Sequence, residues 1–313
     1  MNESVSFHNL EATEASLKDF FLQIRGVVSK TQGDAHKNQR GRAFLLGGAL
    51  ASGGAISLSA KACLHAGLGY ATILDSCVGR LNLETIGEWC VVERTLKAWE
   101  LSLERDQVLI FGPGLAADAF KDLELCEELY PYIRELSLAS ARLQGIVLDG
   151  GGLALFLRMA KSQNLRFDCP VALTPHPLEA GRMLEVLSPE AALPSCRHSL
   201  MSSLMEKLSD FFPEASVLLK GGHPLFADVS SEKCFELNFE SPALATAGSG
   251  DVLCGFVAGM LFRLRESTRP ALAAIALSVF VQALSHRDIY EGMLASELSV
   301  SFSKTLSELV ETL

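Results

Sequence analysis

Short apolar segments alternate with helix-like segments along most of this chain, and this alternation limits the fold more strongly than any other feature of the sequence. The apolar segments are five or six residues long, which suits buried strands. They occupy residues 43–48, 70–74, 108–112, 145–150, 171–175 and 216–221. Helical patterns such as residues 54–67 separate them. The alternation predicts an α/β fold, a three-layer αβα sandwich with a mostly parallel central sheet and helices on both faces.

Three further segments complete the predicted architecture. The runs LFADV and CFELNF, separated by a short polar stretch, predict a β-hairpin. The apolar residues 271–284 are too few to span a bilayer and predict a buried helix. Residues 1–35 read as a polar N-terminal arm with one amphipathic helix at residues 17–24, and residues 36–313 are expected to form a single domain.

The composition argues against several classes of function. The net charge of −10 disfavours a nucleic-acid-binding surface, which needs clustered Lys and Arg, although backbone amides can still bind a small anion. The eight cysteines are scattered without a Cys-x-x-Cys pair, which indicates reduced thiols of a cytoplasmic protein rather than a zinc site or a disulfide framework. The first 20 residues lack the basic and apolar regions of a secretory signal, and no membrane association is expected.

Five of the predicted strands end in glycine-rich or polar residues. These endings are Gly47-Gly48, GPGL (112–115), Asp149 with three following glycines, TPHPLE (174–179) and KGGH (220–223). Ligands of open parallel sheets bind outside the carboxyl ends of the strands, so these endings predict a binding site at one edge of the sheet. Glycine there lets a ligand approach the backbone closely.

The sequence TAGSGD (residues 246–251) directly precedes an amphipathic helical pattern and fits the same edge. Ala247, Gly248, Ser249 and Gly250 can direct successive N–H groups to one point at a helix N-terminus, which would form an anion hole. Asp251 has two interpretations. It is either a favourable acid at the start of a helix, or a general base that takes a proton from a hydroxyl while the amides hold a phosphoryl group.

The other polar residues at this edge also have two interpretations each. His176, between two prolines, is either part of a ligand site held in a rigid turn or an ordinary core or surface histidine. Glu179 either holds Mg²⁺ through water or is a favourable first-turn acid. Lys220 either meets a phosphate or is solvated. The residue types alone do not decide between these interpretations.

Taken in order, the motifs of the chain resemble those of the ADP/ATP-dependent NAD(P)H-hydrate dehydratases, which are ribokinase-like proteins. The similarity spans roughly residues 34–305. The matching motifs are HKNQRGRAFLLGG, SGGAISLSA, AGLGYATI, GPGL, VLDG, LTPHPLEAGRML, VLLKGGHPLFAD, ALATAGSGDVLCGFVAGML and GMLASEL. GSGD is shared with many ribokinase-like kinases, whereas LTPHPLE, KGG-x-x-LFAD and ATAGSGDVL-x-G are more specific. The resemblance implies a ribokinase-like αβα sandwich.

The resemblance also implies a repair reaction, with ADP or ATP as co-substrate and Mg²⁺ as cofactor. Hydrated NAD(P)H (NADHX or NADPHX) is phosphorylated on its ring hydroxyl, and loss of phosphate restores NAD(P)H. Asp251 would be the base, and Glu179 would assist Mg²⁺ through water. The hydrated nicotinamide would contact Ala55, Gly114, His176 and Asp251. The AMP portion of the nucleotide would contact Lys220, Gly221, Gly222, His223, Pro224 and Gly250. A homo-oligomer, possibly acting with a separate epimerase protein, is expected.

The chain departs from the family pattern at three places. Ser52 and Ile56 stand where the family usually has Tyr and Pro. Gly151 replaces the second acid of an Asp-Ala-Asp sequence that would begin at Asp149. Pro224 stands where Thr is frequent, which removes a hydroxyl and an N–H donor. These changes concern the substrate and nucleotide contacts, while the expected base and anion hole are retained.

Two other functions are compatible with these motifs. A small-molecule kinase, such as a vitamin-precursor kinase, would use the same GSGD turn, and a nucleotide-binding protein without catalysis is suggested by the departures. The His in LTPHPLE, where such kinases tend to carry Asn, favours the dehydratase over the kinase. The chain retains Asp251 and the whole turn, which argues against the interpretation as a nucleotide-binding protein without catalysis.

Overall fold

The computed structural model of the chain describes residues 5–11, 37–48, 52–74, 91–93, 106–238, 244–285 and 290–312. Its strands are β1 (Ser6–Glu11), β2 (Arg42–Leu46), β3 (Tyr70–Leu74), β4 (Val91–Glu93), β5 (Gln107–Phe111), β6 (Gly145–Leu148), β7 (Val171–Leu173), β8 (Ala215–Leu219), β9 (Leu225–Asp228) and β10 (Lys233–Asn238). Its α-helices are α1 (Gly53–His65), α2 (Leu123–Ala139), α3 (Gly152–Ser162), α4 (Pro177–Leu187), α5 (Arg197–Leu208), α6 (Ser249–Arg263), α7 (Pro270–Leu284) and α8 (Ala295–Thr312).

The described strands form one ten-stranded sheet in the order β1-β10-β9-β8-β7-β6-β5-β2-β3-β4. Neighbouring strands from β8 to β4 pair in parallel, and β1 pairs in parallel with β10. Strand β9 runs antiparallel to both of its neighbours, β8 and β10. The sheet is therefore mostly parallel, and the predicted hairpin is the β9–β10 pair.

Alternate residues of the central strands face two different layers of helices. In β2, Ala43 and Leu45 pack with residues of α1, α6, α7 and α8. Phe44 and Leu46 point to the opposite side and pack with residues of α2 to α5. This two-residue period is that of a strand buried on both faces. The predicted three-layer αβα sandwich is confirmed.

Helices α1 and α6 approach each other closely because small residues line their contact. A Cβ atom on Gly255 would lie 2.1 Å from the carbonyl oxygen of Ser59, so only glycine fits there. The hydroxyl of Ser59 donates a hydrogen bond to the carbonyl oxygen of Asp251 at 2.9 Å. Helix α1 thus fixes the first turn of α6, which carries Asp251.

The predicted strands and the buried helix at residues 271–284, now α7, are confirmed. Strands β1, within the predicted polar arm, and β4 were not predicted, whereas the helix predicted at residues 17–24 lies outside the described residues. None of the helices in the described ranges is both long enough and apolar enough to cross a membrane. The cysteines in those ranges are free thiols, and Cys77 and Cys90 lie outside them.

Candidate functional site

The five glycine-rich or polar strand endings lie at one edge of the sheet, as the sequence predicts. They follow β2, β5, β6, β7 and β8, which are consecutive neighbours and run in the same direction. Backbone hydrogen bonds join these endings, with donors at Gly48, Asp149, Thr174 and Lys220. For example, the N–H of Lys220 donates to the carbonyl oxygen of Pro175 at 2.8 Å. The edge is therefore one connected set of loops.

Glycine is required where the loop after β5 crosses the end of β6. Gly112 has a φ of +115°, and a Cβ atom there would lie 2.0 Å from the carbonyl oxygen of Asp149. A Cβ atom on Gly151 would lie 2.1 Å from the carbonyl oxygen of Ala116. The acid that is absent at residue 151 has no room in this arrangement of the loop.

The TAGSGD turn leads into α6 through a left-handed glycine. Gly248 has a φ of +93°, and the helix begins at Ser249, so Asp251 lies in the first turn. A left-handed residue next to a helix N-terminus is the backbone arrangement that binds anions. The role of residues 247–250 as an anion hole stays a prediction.

The four amides predicted for this anion hole are not equivalent. The N–H of Ser249 already donates to the carbonyl oxygen of Thr246 at 3.2 Å, so it is less available to a ligand. Ala247 is exposed, whereas Gly248 and Gly250 are half-buried at the start of the helix.

Lys220 joins two acids at the centre of the edge. Its Nζ atom lies 2.7 Å from Oδ1 of Asp149 and 3.7 Å from Oε2 of Glu179. The hydroxyl of Thr174 also donates to Oδ1 of Asp149, at 2.8 Å. A Cβ atom on Gly250 would lie 3.3 Å from Nζ, so the ammonium group borders the TAGSGD turn.

The charge state of Lys220 follows from this environment. Burial by itself lowers the pKa of the ammonium group, but the attraction of Asp149 and Glu179 outweighs burial and holds that pKa above its ordinary value. Lys220 is therefore a largely buried cation that keeps its charge at neutral pH, rather than a solvated one.

Asp251 is a carboxyl group of unusually high basicity. Burial, together with the negative charge of Asp149, raises the pKa of Asp251 from 3.8 to about 7, although Lys220 acts in the opposite direction. A group whose pKa lies near neutral pH can accept and release a proton under ordinary conditions. Asp251 thus combines the position of a first-turn acid with the basicity that a general base needs.

His176 and Glu179 form a capping box at the start of α4. The Nδ1 atom of His176 accepts hydrogen bonds from the N–H groups of Leu178 at 3.1 Å and Glu179 at 3.4 Å. In return, Oε2 of Glu179 accepts from the N–H of His176 at 2.8 Å. Nδ1 therefore carries no proton, and the ring proton lies on Nε2, 3.2 Å from Oε1 of Glu179.

The protonation of this pair matches its contacts. Burial and the nearby charge of Lys220 lower the pKa of His176, which favours the neutral ring. Burial also raises the pKa of Glu179, while Lys220 opposes that rise. Both residues have a structural task as caps, and the ligand contacts predicted for them stay predictions.

Ala55 and Gly114, both expected at the hydrated nicotinamide, lie side by side. A Cβ atom on Gly114 would lie 3.2 Å from Cβ of Ala55. The hydroxyl of Ser52 donates to the carbonyl oxygen of Gly114 at 2.6 Å, which ties the start of α1 to the loop after β5. Ile56, the other departure in this segment, is fully buried in the core.

The residues expected to contact the nucleotide form the connection between the antiparallel strands β8 and β9. Gly221 and Gly222 are exposed, His223 is half-buried and Pro224 is buried. The carbonyl oxygen of Pro224 accepts from the N–H of Leu237 in β10 at 3.0 Å. This hydrogen bond ties Pro224 to strand β10, and the two glycines are the exposed part of the loop.

The donor groups at this edge suit Mg²⁺ in chemistry but do not form a dedicated metal site. Carboxylate oxygen is a donor that Mg²⁺ prefers, and Mg²⁺ usually retains several waters and binds through substrate phosphates. In the part of the chain that the structure describes, no three His, Cys, Asp or Glu residues are placed to hold a metal ion. The chemistry of these donors thus fits an ion that a nucleotide would carry, and the contact of Glu179 with the water shell of such an ion stays a prediction.

Two functional candidates had no role assigned from the sequence. Asp149 follows β6 directly, and its position at the carboxyl edge was the signal that could have identified it as the partner of Lys220. Arg197 begins α5 and donates to the carbonyl oxygens of Leu219, just before the Lys220–His223 loop, and of His223, at its end. No local pattern indicated this contact, because it joins a helix start to a loop that follows a later strand.

The site combines a basic carboxylate, a buried ammonium group and a helix N-terminal turn. The carboxylate can take a proton from a hydroxyl group, while the ammonium group and the amides stabilise the charge of a phosphoryl group. The arrangement therefore suits phosphoryl transfer to a hydroxyl.

Comparison with known proteins agrees with this chemistry. An ADP-dependent (S)-NAD(P)H-hydrate dehydratase of Listeria monocytogenes is 28% identical over 257 residues, which cover 81% of this chain and 83% of that protein. A bifunctional NAD(P)H-hydrate repair enzyme of Coxiella burnetii is 28% identical over 304 residues, which cover 94% of this chain and 56% of that enzyme.

Solved structures of other proteins share this fold. In addition, a family profile matches most of the chain. A ribokinase-like superfamily protein of Enterococcus faecalis has a TM-score of 0.68 at 21% identity, covering 97% of this chain and 96% of its own, so it shows a shared fold. The profile of the NAD(P)H-hydrate dehydratases matches residues 43–306. Because this match covers most of the chain, including the central strands and the TAGSGD turn, the chain belongs to the NAD(P)H-hydrate dehydratase family.

Proposed function

We propose that this protein is an enzyme that repairs hydrated NAD(P)H at the expense of ADP or ATP. The ring hydroxyl of NADHX or NADPHX takes the terminal phosphoryl group of the nucleotide, which leaves as AMP or ADP. Cleavage of the C–O bond between the ring and the phosphorylated oxygen, with loss of a proton from the neighbouring ring carbon, then releases inorganic phosphate and restores NAD(P)H. The observation that carries the proposal is Asp251, whose pKa is about 7, in the first turn of α6.

In this proposal Asp251 removes the proton of the ring hydroxyl as the phosphoryl group is transferred. The amides of the 247–250 turn and the Lys220 ammonium, which borders Gly250, stabilise the negative charge of that group. Bound Mg²⁺ would neutralise part of the phosphate charge, with Glu179 contacting its water shell.

The binding surfaces follow from the same edge. The hydrated nicotinamide lies against Ala55, Gly114 and the neutral ring of His176. The AMP portion of the nucleotide lies along the Lys220–Pro224 loop and Gly250. The relatives named as ADP-dependent support ADP as the nucleotide.

We also propose that residues 36–313 are one domain and that the protein is a cytoplasmic homo-oligomer. A separate epimerase protein would supply one epimer of its substrate.

The function is tested by mixing the protein with hydrated NADH, MgCl₂ and ADP and following the absorbance band of reduced nicotinamide. We expect the band to return, with one phosphate released for each NADH formed, and a chelator to stop the reaction. A protein that phosphorylates an unrelated alcohol without restoring the band would be a kinase. A protein that binds ADP but turns over neither substrate would be a non-catalytic relative, and either result refutes the proposal.

A further inference from the structure

Arg197, the first residue of α5, reaches the loop between β8 and β9. Its Nη2 atom donates hydrogen bonds to the carbonyl oxygens of Leu219 at 3.3 Å and His223 at 2.6 Å. Leu219 ends β8, and His223 lies two residues before β9. The two carbonyls therefore flank the Lys220–Gly222 segment, whose two glycines are exposed, and one guanidinium nitrogen fixes the distance between them.

The same guanidinium group also lies against the backbone of the loop. A Cβ atom on Gly221 would lie 2.9 Å from Nη2, and Gly221 has a φ of +151°, so only glycine suits this position. On the other side, the N–H of Lys220 donates to the carbonyl oxygen of Pro175 at 2.8 Å. The loop is thus held at two points, and a Cβ atom on the exposed Gly222 would meet no neighbour.

The placement of Arg197 has a cost in free energy. Its Nε atom is buried, and among the residues that the structure describes it has no hydrogen-bond partner. Burial also lowers the pKa of its guanidinium group. A buried donor without a partner destabilises a fold. A contribution to stability therefore does not explain well why Arg197 has this position. Fixing the shape of the loop explains it better.

We propose that Arg197 is a positioning residue, which shapes the Lys220–His223 loop for a nucleoside diphosphate without touching the nucleotide itself. The inference rests on the proposed function in taking a nucleotide as the ligand of this loop. It does not depend on the hydrated nicotinamide or on the second step of the reaction.

The test compares Arg197→Ala and Arg197→Lys with Arg158→Ala. Arg158 is a matched control because its Nη1 atom also donates to a backbone carbonyl, that of Phe120, at 2.9 Å, and this contact is not with the Lys220–His223 loop. The Kd of ADP is measured by calorimetry. The KM of hydrated NADH is measured at saturating ADP, and the free energy of unfolding is measured for each variant. We expect the Kd of ADP to rise about tenfold or more in both Arg197 variants. Arg158→Ala should bind ADP as the wild type does.

Two readouts separate positioning from a merely structural role. The KM of hydrated NADH should change much less than the Kd of ADP. Millimolar guanidinium should recover part of the ADP affinity of Arg197→Ala but should not alter the ADP affinity of Arg158→Ala.

An ADP affinity within twofold of the wild type in a folded Arg197 variant overturns the inference. If Arg197→Ala does not fold, Arg197→Lys decides by the same criterion. If the wild type binds ADP and the variants lose it, but hydrated NADH is never dehydrated, the proposed function fails and the inference about Arg197 stands.

Discussion

The Nζ atom of Lys220 lies 2.7 Å from Oδ1 of Asp149, where β8 and β6 end, although 71 residues separate the two in sequence. Both charges act on the carboxyl group of Asp251, and they act in opposite directions. Asp149 raises the pKa of Asp251, and Lys220 lowers it. Burial is the main reason for the high pKa of Asp251, and an ion pair at the ends of two strands adjusts it further.

Replacing Asp149 should make Asp251 a weaker base. In Asp149→Asn the negative charge disappears and Lys220 loses the nearer of its two acidic partners, so both changes lower the pKa of Asp251 below about 7. We expect a decrease of roughly one unit, the size that a nearby charge usually contributes. The measurement is a carboxyl-carbon NMR titration of the nucleotide-free protein, with the Asp251 signal assigned by its absence in Asp251→Asn. An unchanged midpoint would show that burial alone sets this pKa.

Asp251→Asn should abolish turnover and leave the Kd of ADP within about threefold of the wild type, because the proposed base does not hold the nucleotide.

The Asp251→Asn substitution should also stabilise the protein in a pH-dependent way. The folded pKa is about 7 against an ordinary 3.8, so the folded wild type loses stability as pH rises through this interval and carries the full cost above it. A cost of up to roughly 4 kcal/mol corresponds to this shift.

Thermal unfolding at two pH values checks the second half of this prediction. The Tm of Asp251→Asn should exceed that of the wild type by several degrees at pH 8, and the difference should nearly vanish close to pH 4. The same difference at both pH values would mean that the Asp251 carboxyl is not perturbed by folding.

The sequence predicts the central strands well, because their apolar runs are buried on both faces and need no partner to be recognised. Strand β1 (SFHNLE) has a mixed composition, and its existence depends on pairing with β10, which follows more than 200 residues later. The site was predicted only in part, because some of its contacts also join segments that are far apart in the sequence. Asp251 and the glycine-rich loops stand in local motifs, whereas the contacts of Lys220 with Asp149 and of Arg197 with His223 depend on strand order and helix packing.

Substitutions of His176 should separate its capping role from its proposed contact with the hydrated ring. His176→Ala removes the acceptor for the N–H groups of Leu178 and Glu179 and should lower the free energy of unfolding by about 1 kcal/mol. His176→Asn keeps a good cap acceptor and should restore most of that stability, but it lacks the ring, so the KM of hydrated NADH should still rise several-fold. Urea unfolding and initial rates measure the two effects. Full recovery of both by Asn would leave His176 with a structural role only.

Gly151 should not accept the acid that the family pattern would place there. A Cβ atom on Gly151 would lie 2.1 Å from the carbonyl oxygen of Ala116 and 2.6 Å from that of Leu115, so Gly151→Ala and Gly151→Asp must displace the loop after β5. We expect each to lower the free energy of unfolding by about 3 kcal/mol. Gly54→Ala is the control for stability, because a Cβ atom on Gly54 meets no neighbour and a helical Ala is favoured by about 0.5–1 kcal/mol.

The comparison of these glycine variants by denaturant unfolding also tests why the second acid is absent. If Gly151→Asp is as stable as the wild type, the loop can move to admit a side chain, and the absence of an acid has no steric cause. If it is destabilised while Gly54→Ala is not, the path of the GPGL loop excludes the acid. The phosphoryl-transfer site must then function with Asp149, Glu179 and Asp251 as the acids around Lys220.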